Sequence, residues 1–308
     1  MARKKESAVS GVIVIDKHEG VTSFRIISIL RRLFDTSQVG HTGTLDPMAT
    51  GVLPVLIGRA VKASDYIMTQ DKCYTAELKL GVETDTEDTT GEVIRRCDDI
   101  PSEDEVRRCI DSFIGEIDQI PPMYSAIKVD GRKLVDIARE GGEIERRPRQ
   151  VKITSIETEK LSGDTYRLKV ACSKGTYIRT LCADIGKKLG CGAAMSALRR
   201  TETGGFTLND AFTIEQLEAM TPEERHSLVL PTESLFVDLD VLKLPQFYAN
   251  LFLAGAPLYQ KKIRASVPTG ARVRVKHGDE FLGLGKGDTL SDGNAVLKAE
   301  KLFKLGKV

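Results

Sequence analysis

No two of the six cysteines, at positions 73, 97, 109, 172, 182 and 191, form a Cys-x-x-Cys pair, and no histidine lies at zinc-finger spacing from them. Zinc ribbons and paired redox thiols are thereby excluded, and the cysteines read as reduced thiols packed as small apolar residues. The four histidines (His18, His41, His226 and His277) are too scattered for a helical metal-binding pair. No apolar run reaches the length of a membrane-spanning helix. The basic start, Met1 to Ser7, leads into a strand rather than a long apolar segment, so no secretory signal is expected and the expected compartment is the cytoplasm. No internal repeat or low-complexity tract is evident. Tryptophan is absent and there are only seven tyrosines, so tyrosines within a motif stand out.

The 308 residues exceed what one core usually organises, so two domains are expected. A hydrophobic content of 41% and a charged content of 29% describe a globular chain. The net charge of +1 hides an uneven distribution. Residues 83–118 carry 13 acids against 4 bases, and residues 241–308 carry 12 bases against 5 acids. Such asymmetry suits a chain with one end facing a polyanion, although two solvated surfaces of opposite sign would look the same.

The β-branched run Gly11 to Asp16 predicts a strand, and Thr22 or Ser23 caps a helix reaching about Phe34. Strands are expected over Val52–Ile57, Tyr74–Leu80, Val151–Glu159 and Thr165–Cys172. Helices are expected after Pro101-Ser102-Glu103-Asp104, over Leu134–Arg139, and from Tyr177 to Leu189 with a stop at Gly190. Tyr124 to Leu134 reads as a hairpin around Asp130-Gly131. Without a βαβ rhythm, the pattern predicts an α+β fold: a mixed, largely antiparallel central sheet flanked by helices. Beyond Pro245, short strands separated by glycines predict a small C-terminal β-rich domain.

Within Gly40-His41-Thr42-Gly43-Thr44-Leu45-Asp46-Pro47-Met48-Ala49-Thr50-Gly51, glycines and a proline bend the backbone around a single carboxylate. A lone acid on a rigid loop between packed elements is where a nucleophile or general base tends to be placed. A turn aspartate before proline would fit the same residues.

Five segments together resemble the bacterial tRNA pseudouridine-55 synthases. These are the Asp46 loop, Lys17-His18-Glu19-Gly20-Val21-Thr22-Ser23, Asp71-Lys72-Cys73-Tyr74, the Pro122 to Leu134 segment, and Ser173-Lys174-Gly175-Thr176-Tyr177-Ile178-Arg179-Thr180. The tail from about Leu242 resembles the small RNA-binding PUA domain. His18 and Val61 depart from that pattern, where the family often has proline and threonine.

The resemblance implies the pseudouridine synthase fold. It divides the chain into a catalytic domain, 1–235, with an RNA-binding insertion near 124–150, and a PUA-like RNA-binding domain, 236–308. It implies isomerisation of uridine to pseudouridine at position 55 of the tRNA T-loop: the C1′–N1 bond breaks, the base turns, and C5 rejoins C1′. The base never leaves the site, so no cofactor and no metal is called for. Asp46 is implied as nucleophile or base, with Arg179 as its cationic partner. A cation in the first turn of a helix opposes the helix dipole, which itself argues that Arg179 has another partner. The resemblance places Tyr74 as a catalytic residue stacked on the target base, His41 and Tyr177 against the RNA, and Leu198 along the uracil pocket.

Lys128, Arg132, Lys133, Arg146, Arg147, Arg149, Arg199 and Arg200 are expected to meet phosphate, as are Lys261, Lys262, Arg264, Arg272 and Arg274 of the tail. The expected partner is the T-arm stem-loop of tRNA, with no membrane and no obligatory protein partner, the chain acting as a monomer. Two alternatives are a guide-RNA-dependent pseudouridine synthase subunit and a tRNA-folding chaperone whose catalysis is secondary.

Overall fold

The computed structural model describes residues 9–304, 306 and 308; the basic run at 1–7 lies outside them. Its centre is an 11-stranded sheet. Along the main path the order is Ala211–Phe212, Gly11–Lys17, Thr50–Ile57, Ala193–Thr203, Lys72–Leu80, Thr165–Cys172, Arg149–Ser162 and Gly115–Gln119. Two neighbouring pairs on this path are parallel, Gly11–Lys17 with Ala211–Phe212 and Thr50–Ile57 with Ala193–Thr203; the rest are antiparallel. The fold is therefore α+β with a mixed, largely antiparallel sheet.

Strand alternation sorts the apolar residues onto two faces. Ile13, Ile15, Leu53, Val55, Ala76, Leu78, Leu168 and Val170 form one core with the helices Ser23–Leu33, Glu103–Asp111 and Ile178–Leu189. Val12, Val14, Val52 and Leu56 turn the other way and join a second cluster with Leu235, Phe236, Leu284 and Phe303. The helix boundaries follow local chemistry. The Thr22 side chain accepts from the Arg25 amide at 3.1 Å. Ser102 and Glu105 form a capping box at the acidic start of Glu103–Asp111. Gly190, at φ 82°, ends the Ile178–Leu189 helix in the left-handed conformation.

The C-terminal part is a separate five-stranded sheet. Its order is Val241–Lys243, Arg272–His277, Glu280–Thr289, Ala295–Leu302 and Leu258–Tyr259, around Phe252, Val275, Leu282 and Leu297. No described helix is long and apolar enough to cross a membrane.

The expected long hairpin at 124–134 shrinks to two-residue strands, Lys128–Val129 and Arg132–Lys133, around the Asp130-Gly131 turn. Residues 123–126 bend instead, because their carbonyls have other partners. Met123 O accepts from the Ser125 amide at 2.9 Å, Tyr124 O from Arg179 Nη2 at 2.8 Å, and Ser125 O from the Val135 amide at 3.1 Å.

Gly51 is the residue that lets the Thr50–Ile57 strand lie beside Ala193–Thr203. It adopts φ 99°, and a Cβ there would sit 2.1 Å from the Arg200 carbonyl oxygen. Gly51→Ala is expected to destabilise the fold by roughly 2–3 kcal/mol, through both strain and clash. Thermal unfolding measures this, and a parent-like midpoint would mean the strands part freely at this point.

Candidate active site

The Asp46 loop is fastened from below. Ser23, at the start of its helix, donates its hydroxyl to Leu45 O at 3.1 Å and accepts from the Leu45 amide at 2.9 Å. Lys17 is fully buried at the end of its strand. Its ammonium donates to Ala49 O at 2.5 Å, His18 O at 3.0 Å and Pro47 O at 3.1 Å. Burial pushes the Lys17 amine down to about 8 while Asp46 pulls it back up; three carbonyl acceptors match the three N–H donors of the charged form. The Asp46 side chain is left 36% exposed above this anchored backbone.

Arg179 meets Asp46 from the first turn of the Ile178–Leu189 helix. Its Nε lies 3.0 Å from Asp46 Oδ2, and its side chain is 6% exposed. Nη1 donates to Thr86 O at 3.1 Å and Nη2 to Tyr124 O at 2.8 Å, so one guanidinium joins the Asp46 loop, the 84–90 turn and the 123–126 bend. Burial raises the Asp46 carboxyl above its ordinary value, Arg179 lowers it, and Asp88 raises it again.

Asp88 is a site residue that sequence reasoning missed. It is buried, with Oδ2 3.9 Å from Arg179 Nε. Its Oδ1 accepts from the Thr90 hydroxyl (2.5 Å), the Thr86 hydroxyl (2.9 Å) and the Thr90 amide (3.0 Å). In sequence it is one of 13 acids between 83 and 118 and looks solvated. The signal that distinguishes it is the pair of threonines two residues to either side.

Asp46, Asp88, Tyr124, Arg139 and Arg179 line a cleft of about 440 Å³. Tyr177 precedes the Arg179 helix. Its amide donates to Gln119 Oε1 at 2.8 Å and its carbonyl accepts from Gln119 Nε2 at 3.0 Å. Burial pushes its phenol up, while Ser125, Arg149 and Arg179 beside it act the other way. Tyr74 is 8% exposed and stands in the sheet opposite Arg200 on one side and Val170 on the other. Burial raises its phenol and Arg200 opposes the rise. The Asp46 charge acts on both tyrosines, so the acid, the arginine and the two rings share one neighbourhood. His41 ends the Val39–His41 strand, with Nδ1 accepting from the Gly43 amide at 3.3 Å. Leu198 is 9% exposed and lines an adjoining cavity of about 330 Å³, which shares Glu19 and Met48 with the Asp46 cleft.

The expected phosphate contacts divide sharply. Arg200 is 1% exposed and cannot reach RNA; its Nε donates to Val52 O at 2.7 Å and its Nη2 to Gly43 O at 3.2 Å. Arg199 pairs with Asp16 at 2.7 Å, Arg272 with Glu300 at 2.7 Å, and Arg274 with Glu233 at 3.4 Å. Arg132 pairs with Glu140 at 2.5 Å and Arg146 with Glu143 at 3.2 Å. Lys128, Lys133, Arg147, Arg149, Lys261 and Lys262 are exposed. Among the described residues no group of His, Cys, Asp and Glu is placed to hold a metal ion.

A family model described as TruB family pseudouridylate synthase (N terminal domain) matches residues 31–178. A second, the tRNA pseudouridylate synthase B C-terminal domain, matches residues 179–237. A tRNA pseudouridine synthase B of Aromatoleum aromaticum is 42% identical over 302 residues, covering 97% of this chain and 94% of the relative. That of Alkaliphilus oremlandii is 44% identical over 279 residues, covering 90% of this chain and 93% of the relative. Among solved structures, a chain of a Cbf5-Nop10-Gar1 complex is similar at a TM-score of 0.71 and 26% identity, covering 98% of this chain and 92% of that one. A carboxylate–arginine pair at the mouth of a cleft, on a sheet of this topology and with relatives this similar along nearly its whole length, leaves one assignment: the chain belongs to the TruB family of pseudouridylate synthases.

Proposed function

We propose that the protein isomerises uridine to pseudouridine at position 55 in the T-loop of tRNA, with Asp46 as the reacting carboxylate. The observation that carries this reading is the 3.0 Å pairing of Asp46 with Arg179 in a cleft large enough for an extruded base. Asp46 must be ionised to act as nucleophile or base, and Arg179 offsets part of the cost that burial imposes on its charge. Tyr74 supplies an aromatic surface for the base and Tyr177 one for the nucleotide. His41 meets the RNA near the loop, and Leu198 closes the uracil pocket from the adjoining cavity. The chain is organised as a catalytic unit, 1–235, with an RNA-binding insertion near 124–150, and a PUA-like RNA-binding unit, 236–308. It acts on the T-arm as a cytoplasmic monomer without an obligatory protein partner. The guide-RNA-dependent alternative is not favoured, because relatives at 42–44% identity are tRNA pseudouridine synthases while the matching chain of the Cbf5-Nop10-Gar1 complex stands at 26%.

Tritium release from C5-labelled uridine tests reaction and position together. Release is expected from tRNA transcripts and from an isolated T-arm hairpin, with the purified chain alone, and is expected to vanish when the target uridine is replaced by cytidine. Release that needs added guide RNA would move the chain to the other class, and release indifferent to the target uridine would overturn the position.

A further inference from the structure

Arg200 is the bulkiest fully buried side chain among the described residues. A buried cation without a carboxylate is costly and needs a reason to persist. The polar group beside it is the Tyr74 phenol, its cross-strand neighbour, which burial keeps protonated. Its other donors go to backbone carbonyls that bracket the Asp46 loop: Gly43 O at 3.2 Å and Val52 O at 2.7 Å.

Gly43 works in two directions. Its carbonyl accepts from Arg200, and its amide donates to His41 Nδ1 at 3.3 Å. An Nδ1 that accepts an N–H bond carries a lone pair, so the imidazole proton is on Nε2. Protonating Nδ1 would break the bond to Gly43 and set an imidazolium beside a guanidinium. The surrounding charges do not relieve this. Arg31, from the Ser23–Leu33 helix, reaches Val39 O on the same short strand as His41 at 3.5 Å. Asp46, the acid of the loop, is engaged by Arg179. Arg200 also acts on Lys17 and Lys72, both of them cations.

We infer that Arg200 is a positioning residue that, through Gly43, holds His41 as the neutral Nε2–H tautomer and pins both ends of the Asp46 loop. Burial and the Arg200 charge both lower the proton affinity of His41, in the direction this geometry requires. His41 then offers RNA an uncharged donor whose state does not change near neutral pH. That consequence for RNA rests on the synthase reading; the protonation state itself does not.

NMR of the ¹⁵N-labelled full chain tests the inference, with the His41 ring assigned by its loss in His41→Gln. In the parent, Nδ1 should be unprotonated, Nε2 should carry the proton, and the ring should stay neutral below the ordinary histidine value of about 6.5. In Arg200→Met, which removes both charge and donors, the His41 midpoint should rise by about one pH unit, a tenfold gain in proton affinity. In Arg200→Lys, which keeps the charge but cannot bridge two carbonyls, the rise should be smaller. A parent His41 protonated on Nδ1, or titrating at or above the ordinary value, overturns the inference, as does an unchanged midpoint in folded Arg200→Met. The parent measurements decide the question even where a variant does not fold. Because they need no turnover, their failure is distinct from a failure of the tritium assay.

Discussion

Asp46→Asn is expected to abolish turnover, lowering kcat by at least roughly 10⁴-fold, while T-arm affinity changes only a few-fold. Asparagine keeps the size of the side chain and can still meet Arg179, but it provides neither a nucleophilic anion nor a base. The same variant is expected to unfold at an equal or higher temperature than the parent at neutral pH. The sign follows from the direction of the carboxyl shift. Asp46 is held above its ordinary value, so the folded chain binds that proton more tightly than the unfolded one. Its stabilising contribution is complete below the unfolded value, near 4, and is lost as pH rises through the folded value. At neutral pH the ionised acid is therefore a burden on the fold, which asparagine removes. Single-turnover tritium release, fluorescence anisotropy with a labelled hairpin, and thermal scans at two pH values measure the three effects. A variant that forms pseudouridine at a near-parent rate would exclude Asp46 from the chemistry.

Arg179→Ala is expected to lower kcat/KM by about 10²–10³-fold and to shift the acid limb of the pH–rate profile upward. Arg179 is the strongest influence lowering the Asp46 carboxyl, so without it the acid ionises only at higher pH. The loss also reaches the fold, because the guanidinium is nearly fully buried and holds the Thr86 and Tyr124 carbonyls as well as Asp46. Leaving two carbonyls and a carboxylate without their donor is expected to cost about 3–5 kcal/mol. Arg179→Lys separates the two contributions: it restores a positive charge near Asp46 but cannot span all three acceptors. Its acid limb should return toward the parent position while its unfolding temperature stays low. An acid limb that stays in place in Arg179→Ala would show that another group sets the ionisation of Asp46.

Much of this arrangement was legible in the residues themselves. Thr22, the Ser102–Glu105 pair and Gly190 mark helix ends by local bonding that needs no tertiary partner. The Asp46–Arg179 pair was implied by the family resemblance, and a cation in a first helical turn added only that Arg179 has some partner. What stayed hidden was decided by which face a residue takes. Arg199 and Arg200 are adjacent and look alike in sequence. In a strand, neighbours point to opposite faces, so one pairs with Asp16 at the sheet surface and the other disappears beneath the Asp46 loop. Asp88 was masked for a different reason, since an acid among many acids gives no sign of its burial until the turn carrying it folds against Arg179. The 123–126 bend was read as part of a hairpin because its composition allows one; Tyr124 O and Ser125 O were claimed by Arg179 and Val135 instead.

The second apolar cluster runs across the join between the two sheets. Leu235 and Phe236 lie in it beside Val12, Val52, Leu284 and Phe303, and Phe236 contacts the rings of Tyr66, Phe281 and Phe303 at 4.9–5.9 Å. Aromatic packing across the join couples the two sheets. The exposed Lys261 and Lys262, in the short helix Gln260–Ile263 beside the C-terminal sheet, are thereby held at a set span from Asp46, and the join acts as a spacer. On the proposed reading, an RNA gripped at the C-terminal unit brings a nucleotide to Asp46 only when its own fold has the matching length, so the join measures the substrate.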